Sequence, residues 1–351
     1  MTRYAAATLS DFAAAALGAV GVPADHARTT ARRMVEADLR GRTGHGLIRL
    51  SGYVRRIRAG GINVTPDISM RHETAVSAIV DGDNGLGQVV MTRATDLAIT
   101  KAADAGLAWI GTVRSNHAGA AGLYAQRAAD AGFVAMYLAV ANANGMPPWG
   151  GTNPLLGTNP LAIAIPAQPH PFVLDIATSA ASHGTIKVAA QQGAALPVGW
   201  LMDSAGLPIT DPARIDEGFL VPMGGYKGAG LTIAIGLLAG VMNGAAFGAD
   251  VVDHRRDAGT PSNTGQSILV LRPDLFRPRD EVIADLSGQL EALRNSGAVA
   301  GDRVRLPGDA SARTRAENQV RGIELPGSLE DDLDRLSREL GVESHRRGEN
   351  P

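Results

Sequence analysis

The chain has 351 residues, roughly two domains' worth at about 150 residues each and long enough to bury a sizeable core. Hydrophobic residues make up 45% and charged residues 19%, which is the balance of a globular protein and excludes a disordered or fibrous chain. Lys and Arg number 33 against 35 Asp and Glu, a net charge of -2, so nothing draws the chain as a whole to nucleic acid or an anionic membrane, and with no cysteine there are no disulfides, thiolate metal sites, iron–sulfur clusters or cysteine nucleophiles.

Ser10 and Asp11 interrupt the first apolar run, so Phe12 to Val20 reads as a capped helix and not as an export signal. A second helix starts at Pro23 and runs to Leu39. Leu47, Leu50, Tyr53, Val54 and Ile57 form a one-sided stripe that predicts a third helix, ending at Gly60–Gly61, with His45 at its start. From about residue 74 short β-branched runs alternate with Ala-rich helices, the pattern of an α/β layer. The predicted strands are Val76 to Val80, Leu107 to Val113, Phe133 to Val140, Leu161 to Pro166, Phe172 to Ile176 and Ser267 to Leu271. Helical spacing marks Gln88 to Ala105, Gly119 to Ala131, Gly228 to Asn243 and Leu329 to Leu340, the last capped by Ser328, with a frayed polar end behind it. No apolar run reaches the roughly 20 residues needed to span a bilayer.

Several segments suggest chemistry. Asp81-Gly82-Asp83-Asn84-Gly85 starts like a calcium loop, but its sixth position is Leu86 and its twelfth Thr92, so it predicts a turn before a helix. Gly85-Leu86-Gly87 lacks the third glycine of a dinucleotide fingerprint, which excludes a standard Rossmann unit. A spacing of four on a helix puts His45 and Arg49 on one face, with Tyr53 one turn further. A guanidinium can hold a carboxylate by two parallel hydrogen bonds, and an imidazole can pass a proton to a hydroxyl or carbonyl, so the pair suits a 2-hydroxy or 2-oxo acid; the alternative is a helix with solvated charges. Ser115-Asn116-His117 follows a strand and precedes a helix, where α/β folds place functional loops, although Asn116 could simply cap that helix. Met223-Gly224-Gly225-Tyr226-Lys227-Gly228 sets a lysine at the mouth of an apolar helix, suited to a phosphate or carboxylate, and without P-loop spacing. The eight histidines never pair at ligand spacing, so no metal is expected.

In this order, Ala37-Asp38-Leu39-Arg40-Gly41, His45-Gly46 with Arg49-Leu50, Ser115-Asn116-His117, Pro148-Trp149-Gly150-Gly151, Leu156-Gly157-Thr158-Asn159-Pro160, Asp175 to Ser179 and Gly224-Gly225-Tyr226-Lys227-Gly228 resemble the malate/L-lactate dehydrogenase family over nearly the whole chain. That family also contains ureidoglycolate and sulfolactate dehydrogenases, diketogulonate reductase and cyclic-ketimine reductases. The resemblance implies an NAD- or NADP-dependent oxidoreductase of 2-hydroxy or 2-oxo acids. It implies a non-Rossmann NAD(P)-binding mixed-sheet domain, residues 74–300, and a small helical dimerisation domain from both chain ends, residues 1–73 with 301–351. His45 and His117 are the implied acid/base candidates, with the choice between them open. Arg49 would clamp the substrate carboxylate, and Tyr53, Asn142 and Thr158 would complete the substrate site. Cofactor contacts are implied from Asp175, Ile176, Ala177 and Thr178, from Lys227 and Gly228, and from Gly308 and Asp309. A cytoplasmic homodimer with a shared cleft follows from the same likeness.

Three departures stand out. Thr43-Gly44 replaces the Asp-Ser usual before the first histidine, Asn142 stands where relatives tend to have Ser or Thr, and Gln266 stands where His is common. They leave room for two other activities: reduction of a cyclic imine carboxylate, and nucleotide binding without turnover.

Overall fold

The computed structural model describes residues 2–346. The Ala-rich start places small residues and Leu9, Phe12 and Leu17 on the buried side of α1 (Ala6–Gly18), which crosses α2 (Ala24–Leu39). Helix α3 (Leu50–Arg58) buries Leu50, Tyr53, Val54 and Ile57, the stripe visible in the sequence. From the far end of the chain, α10 (Gly327–Leu340) adds Leu333 and Leu336 to the same apolar cluster. Strand β1 (Arg3–Tyr4) pairs antiparallel with β12 (Ile323–Glu324) beside it. Ser328 lies inside α10 and caps nothing: Pro326 occupies the cap position, where its extended backbone turns the chain into the helix.

The larger layer is a seven-stranded sheet. Its strands are β2 (Ser69–Arg71), β3 (Ser77–Asp81), β4 (Leu107–Ser115), β5 (Val134–Ala139), β6 (Leu161–Ile165), β7 (Phe172–Ile176) and β11 (Thr264–Leu271), in the order β2-β3-β4-β11-β5-β6-β7. Only β3 and β4 run parallel, joined through α4 (Gly87–Ala105); every other pairing is antiparallel. A Rossmann sheet is built from parallel crossovers, so this is a mixed α/β fold of another kind. Alanines at 94, 98 and 102 of α4 and at 125, 128 and 129 of α5 (Gly122–Asp130) allow both helices to lie close on one face. On the opposite face α7 (Tyr226–Ala239) packs Ile235 and Ala239 against Leu138. A smaller sheet of β8 (Leu201–Met202), β9 (Pro208–Ile209) and β10 (Phe219–Leu220) sits near α6 (His183–Gln191), and α8 (Arg279–Arg294) and α9 (Asp309–Arg321) complete the chain. No helix of the described residues is long and apolar enough to cross a membrane.

Candidate functional site

His45 does not begin α3. It ends a 3-10 turn, Thr43–His45, and Gly46 then extends the backbone before a second turn, Leu47–Arg49. The spacing of four is therefore not one helical face, because Asp38 fixes this connection: its Oδ2 accepts the Leu47 amide at 2.8 Å. Gly46 passes so close that a Cβ there would lie 1.8 Å from Asp38 Oδ1. Arg49 bends back to donate from Nε to Gly44 O at 2.7 Å, and both His45 and Arg49 still line one cavity of about 280 Å³.

His117 enters the same cavity from the loop after β4. Asn116 does not cap α5. Its amide donates to Asn84 O and Gly85 O at 3.0 and 2.9 Å, while its Oδ1 accepts from Ser262 Oγ at 2.8 Å. Buried Gln266 donates to Asn116 O at 2.8 Å and accepts from Thr112 Oγ1 at 2.7 Å, so this departure from the family pattern anchors the histidine loop to the sheet. The His45 and His117 rings stack nearly parallel, 5.5 Å apart with 14° between planes. The Tyr53 hydroxyl sits 2.7 Å from His117 Nδ1, and Gln88 Nε2 donates to that hydroxyl at 2.7 Å. The Tyr53 hydroxyl, which accepts from Gln88, is donor to or acceptor from His117 Nδ1 according to the tautomer of the ring.

Burial keeps these imidazoles uncharged. It pushes His117 well below 6.5, aided by Arg49, and lowers His45 to about 4 and His254 to about 3. Asn142 donates to Thr264 Oγ1 and lies 3.4 Å from His254 Nε2, so it positions a histidine as well as facing the cavity. Thr158 lines the wall, and its carbonyl accepts from Thr178 N and Oγ1 at 2.9 and 3.0 Å. His183, His254, Arg55 and Arg255 also line it, and no sequence signal singled them out. His183 starts α6, His254 and Arg255 lie in an irregular polar loop, and Arg55 is on the polar side of α3, so no apolar periodicity marks any of them.

A second cavity, about 240 Å³, opens on the other side of the 117–122 loop and is lined by Asp175, Gly308, Arg40, Arg42, His170 and Arg315, among others. Burial raises the Asp175 carboxyl against the pull of Arg42. The remaining implied cofactor residues are dispersed. Ile176 ends β7 beside Leu161, and Ala177 follows it. Thr178 is tied to Thr232 Oγ1 at 2.7 Å, Gly228 is buried in the first turn of α7, and Lys227 is exposed there. Asp309, next to Gly308, is taken up by Arg294 at 3.0 Å and by Leu306 N at 3.1 Å.

A family model described as malate/L-lactate dehydrogenase matches residues 4–334. The L-sulfolactate dehydrogenase of Methanocaldococcus jannaschii is 35% identical over 326 residues, 92% of each chain. Its solved structure superposes with a TM-score of 0.91, covering 97% of this chain and 98% of that one. The NADP(+)-dependent (2R)-3-sulfolactate dehydrogenase of Chromohalobacter salexigens is 36% identical over 326 residues, 92% of this chain and 94% of that protein. The NAD(+)-dependent ureidoglycolate dehydrogenase of Escherichia coli K12 is 33% identical over 307 residues, 87% of each.

Proposed function

The chain belongs to the malate/L-lactate dehydrogenase family and is an NAD(P)-dependent oxidoreductase of small 2-hydroxy acids, and we propose that His117 is its proton carrier, held by Tyr53 and Gln88, with Arg49 as the carboxylate clamp. The observation that carries this assignment is the chain Gln88–Tyr53–His117, which ends in the cavity that His45 and Arg49 also line.

The second cavity offers contacts to part of a dinucleotide. The Asp175 carboxyl can accept from ribose hydroxyls, and Arg42 beside it can pair with a phosphate. Lys227, at the N-terminal end of α7, is a further phosphate candidate. When bound, the nicotinamide ring exchanges a hydride with the substrate's α-carbon.

Arg49 has its Nη nitrogens available to hold the carboxylate, because Nε already bonds Gly44 O. In reduction the protonated His117 ring, with Nδ1–H donating to the Tyr53 hydroxyl, gives its Nε2 proton to the substrate carbonyl oxygen and is left neutral. Oxidation is the reverse step: neutral His117, its proton on Nδ1, takes the substrate hydroxyl proton at Nε2. If the Gln88 amide turns over, Tyr53 donates to Gln88 Oε1 and accepts from His117 Nδ1, which frees the Nε2 lone pair to take a hydroxyl proton. Gln88 Oε1 is buried with no partner in the present orientation. Stacked His45 fixes the plane of the His117 ring and stays neutral beside it.

Residues 1–73 with 301–351 act in this reading as a helical dimerisation unit, and 74–300 as the NAD(P)-binding unit of a cytoplasmic homodimer with a shared cleft. The apolar cluster shared by α1, α2, α3 and α10 supports such a unit. The test is initial rates with NADH and NADPH against pyruvate, oxaloacetate, longer 2-oxo acids and cyclic imine carboxylates. Turnover of 2-oxo acids is expected. Imine-only turnover would make the protein an imine reductase, and silence with intact quenching of tryptophan fluorescence by NAD(P)H would make it a nucleotide binder without chemistry.

A further inference from the structure

A third cavity, about 740 Å³, lies between α1, α2, α5 and α9, next to the second one, and the two have Arg40, Gln126, Asp130 and Arg315 in common. Five arginines line it, at positions 32, 33, 40, 127 and 315, against two carboxylates, Glu36 and Asp130. Both carboxylates are already engaged. Glu36 holds Arg40 and Arg315 at 2.7 Å each, and Asp130 accepts from Gln126 Nε2 at 2.7 Å. Arg127 is matched from outside the cavity by Asp96, which takes its Nε at 2.5 Å and its Nη2 at 3.0 Å.

Arg32 and Arg33 are left over, and among the described residues neither has a carboxylate partner. Arg32 is exposed and donates to Arg28 O at 3.3 Å, so water serves the rest of its guanidinium. Arg33 is a different case. Its guanidinium lies over the ring of fully buried Tyr124, 5.7 Å from the centroid, and its Nε donates to the neutral Thr92 Oγ1 at 3.2 Å. Among the described residues no acceptor meets either of its Nη nitrogens. Burial pulls the Arg33 pKa below its ordinary value, and the neighbouring Arg127 adds to that pull. A partly desolvated guanidinium with its fork open and no counter-ion is stabilised by an anion, and the planar fork matches a phosphate by two parallel hydrogen bonds.

We propose that this third cavity is a regulatory site for a phosphate group, as the free ion or as a phosphomonoester, anchored by Arg33 with Arg32 as a second, exposed contact. Its coupling to activity rests on the reading that the second cavity holds the NAD(P) phosphates. Arg40 and Arg315 line both cavities, so an anion on each side draws on the same two guanidiniums and each repels the other. Phosphate in the third cavity therefore weakens cofactor binding without displacing the cofactor.

The first test is isothermal titration calorimetry of the full chain with inorganic phosphate and with glycerol 3-phosphate, at an ionic strength held constant by chloride. One site per chain is expected, and the tighter of the two ligands tells the free ion from the ester. Arg33→Met should weaken that site by at least about tenfold, the loss of one charge-assisted hydrogen bond. Arg32→Gln, at an exposed position with no packing to lose, should weaken it by a smaller factor. In initial rates the same ligand should raise the KM for NADH or NADPH several-fold up to a plateau, and Arg33→Met should abolish the rise while leaving the rate without phosphate unchanged. No heat above the chloride control, or binding that survives both variants, overturns the site. A KM that climbs with no plateau puts the phosphate in the cofactor's own place and overturns it as well. Where phosphate binds through Arg33 and the KM stays still, Arg42→Met separates the two failures: an unchanged cofactor KM in that variant overturns the cofactor reading of the second cavity, and a raised one overturns the coupling.

Discussion

The two cavities on either side of the 117–122 loop are similar in size, about 280 and 240 Å³, and differ in lining: imidazoles among arginines in the first, arginines among carboxylates in the second. In the first, burial strips the charge from His45, His117 and His254 and leaves them as neutral carriers of hydrogen bonds and protons. In the second, one carboxylate is shared between two guanidiniums: Glu36 holds both Arg40 and Arg315 at 2.7 Å. Proton transfer needs groups that change state, and the binding of a charged cofactor needs groups that do not.

The largest effect expected from attacking that division is at His117. His117→Ala should lower kcat/KM by about 10³-fold, within the range for a general acid or base, while NAD(P)H binding measured by fluorescence changes little. In the unaltered protein, oxidation requires neutral His117, whose folded value lies below 6.5; the rate should therefore hold steady as pH falls through 6.5 and decline only well below it. A decline centred near 6.5 would show the ring to be solvated. Arg49→Lys should raise the KM for the acid by about 100-fold with a smaller change in kcat, because an ammonium cannot reproduce the bidentate grip. An unchanged KM would remove Arg49 from that role.

Gln88→Leu tests the relay and should cost about tenfold in kcat with KM nearly intact, since the residue touches Tyr53 and not the substrate. Gln88→Glu, whose carboxylate accepts from Tyr53, should hold the ring in the Nδ1–H tautomer and change kcat/KM for oxidation and for reduction by the same factor. The smallest effect concerns Asp38, whose carboxyl burial raises from 3.8 to about 7. Because the folded value exceeds the unfolded one, the folded state binds more protons between those values, and stability falls as pH rises from about 4 to about 7. Asp38→Asn should flatten this dependence, a change on the order of 2 kcal/mol between urea midpoints at pH 5 and pH 8.

Much of the sheet was legible because its strands are apolar and short between Ala-rich helices: β7 coincides with the predicted run from Phe172 to Ile176, and β4, β5 and β6 differ only at their ends. Strand β2 was not legible, since all three of its residues are exposed at the sheet edge and carry no alternation. Helices α8 and α9 bury no residue fully, so no stripe announced them. In the site, His45 and His117 stood out through their neighbours in sequence. His183 and His254 meet them only through tertiary folding, and the role of Tyr53 emerged from where its hydroxyl points. Spacing suggested a substrate contact, but that hydroxyl is committed to His117 and Gln88.

The placement of β11 has a consequence for biosynthesis. This strand lies at the centre of the sheet, between β4 and β5, yet its residues 264–271 follow β5 by more than a hundred positions. While a ribosome extends the chain at roughly 5–20 residues per second, the facing edges of β4 and β5 stay unpaired for several seconds or more. Those edges lie among the most apolar strands of the chain and are open to pairing with another nascent copy. The loop that carries His117 is tied to Gln266, so one of its anchors is missing until this strand inserts. A chain stopped short of residue 264 would thus lack both a closed sheet and the Gln266 anchor of the His117 loop.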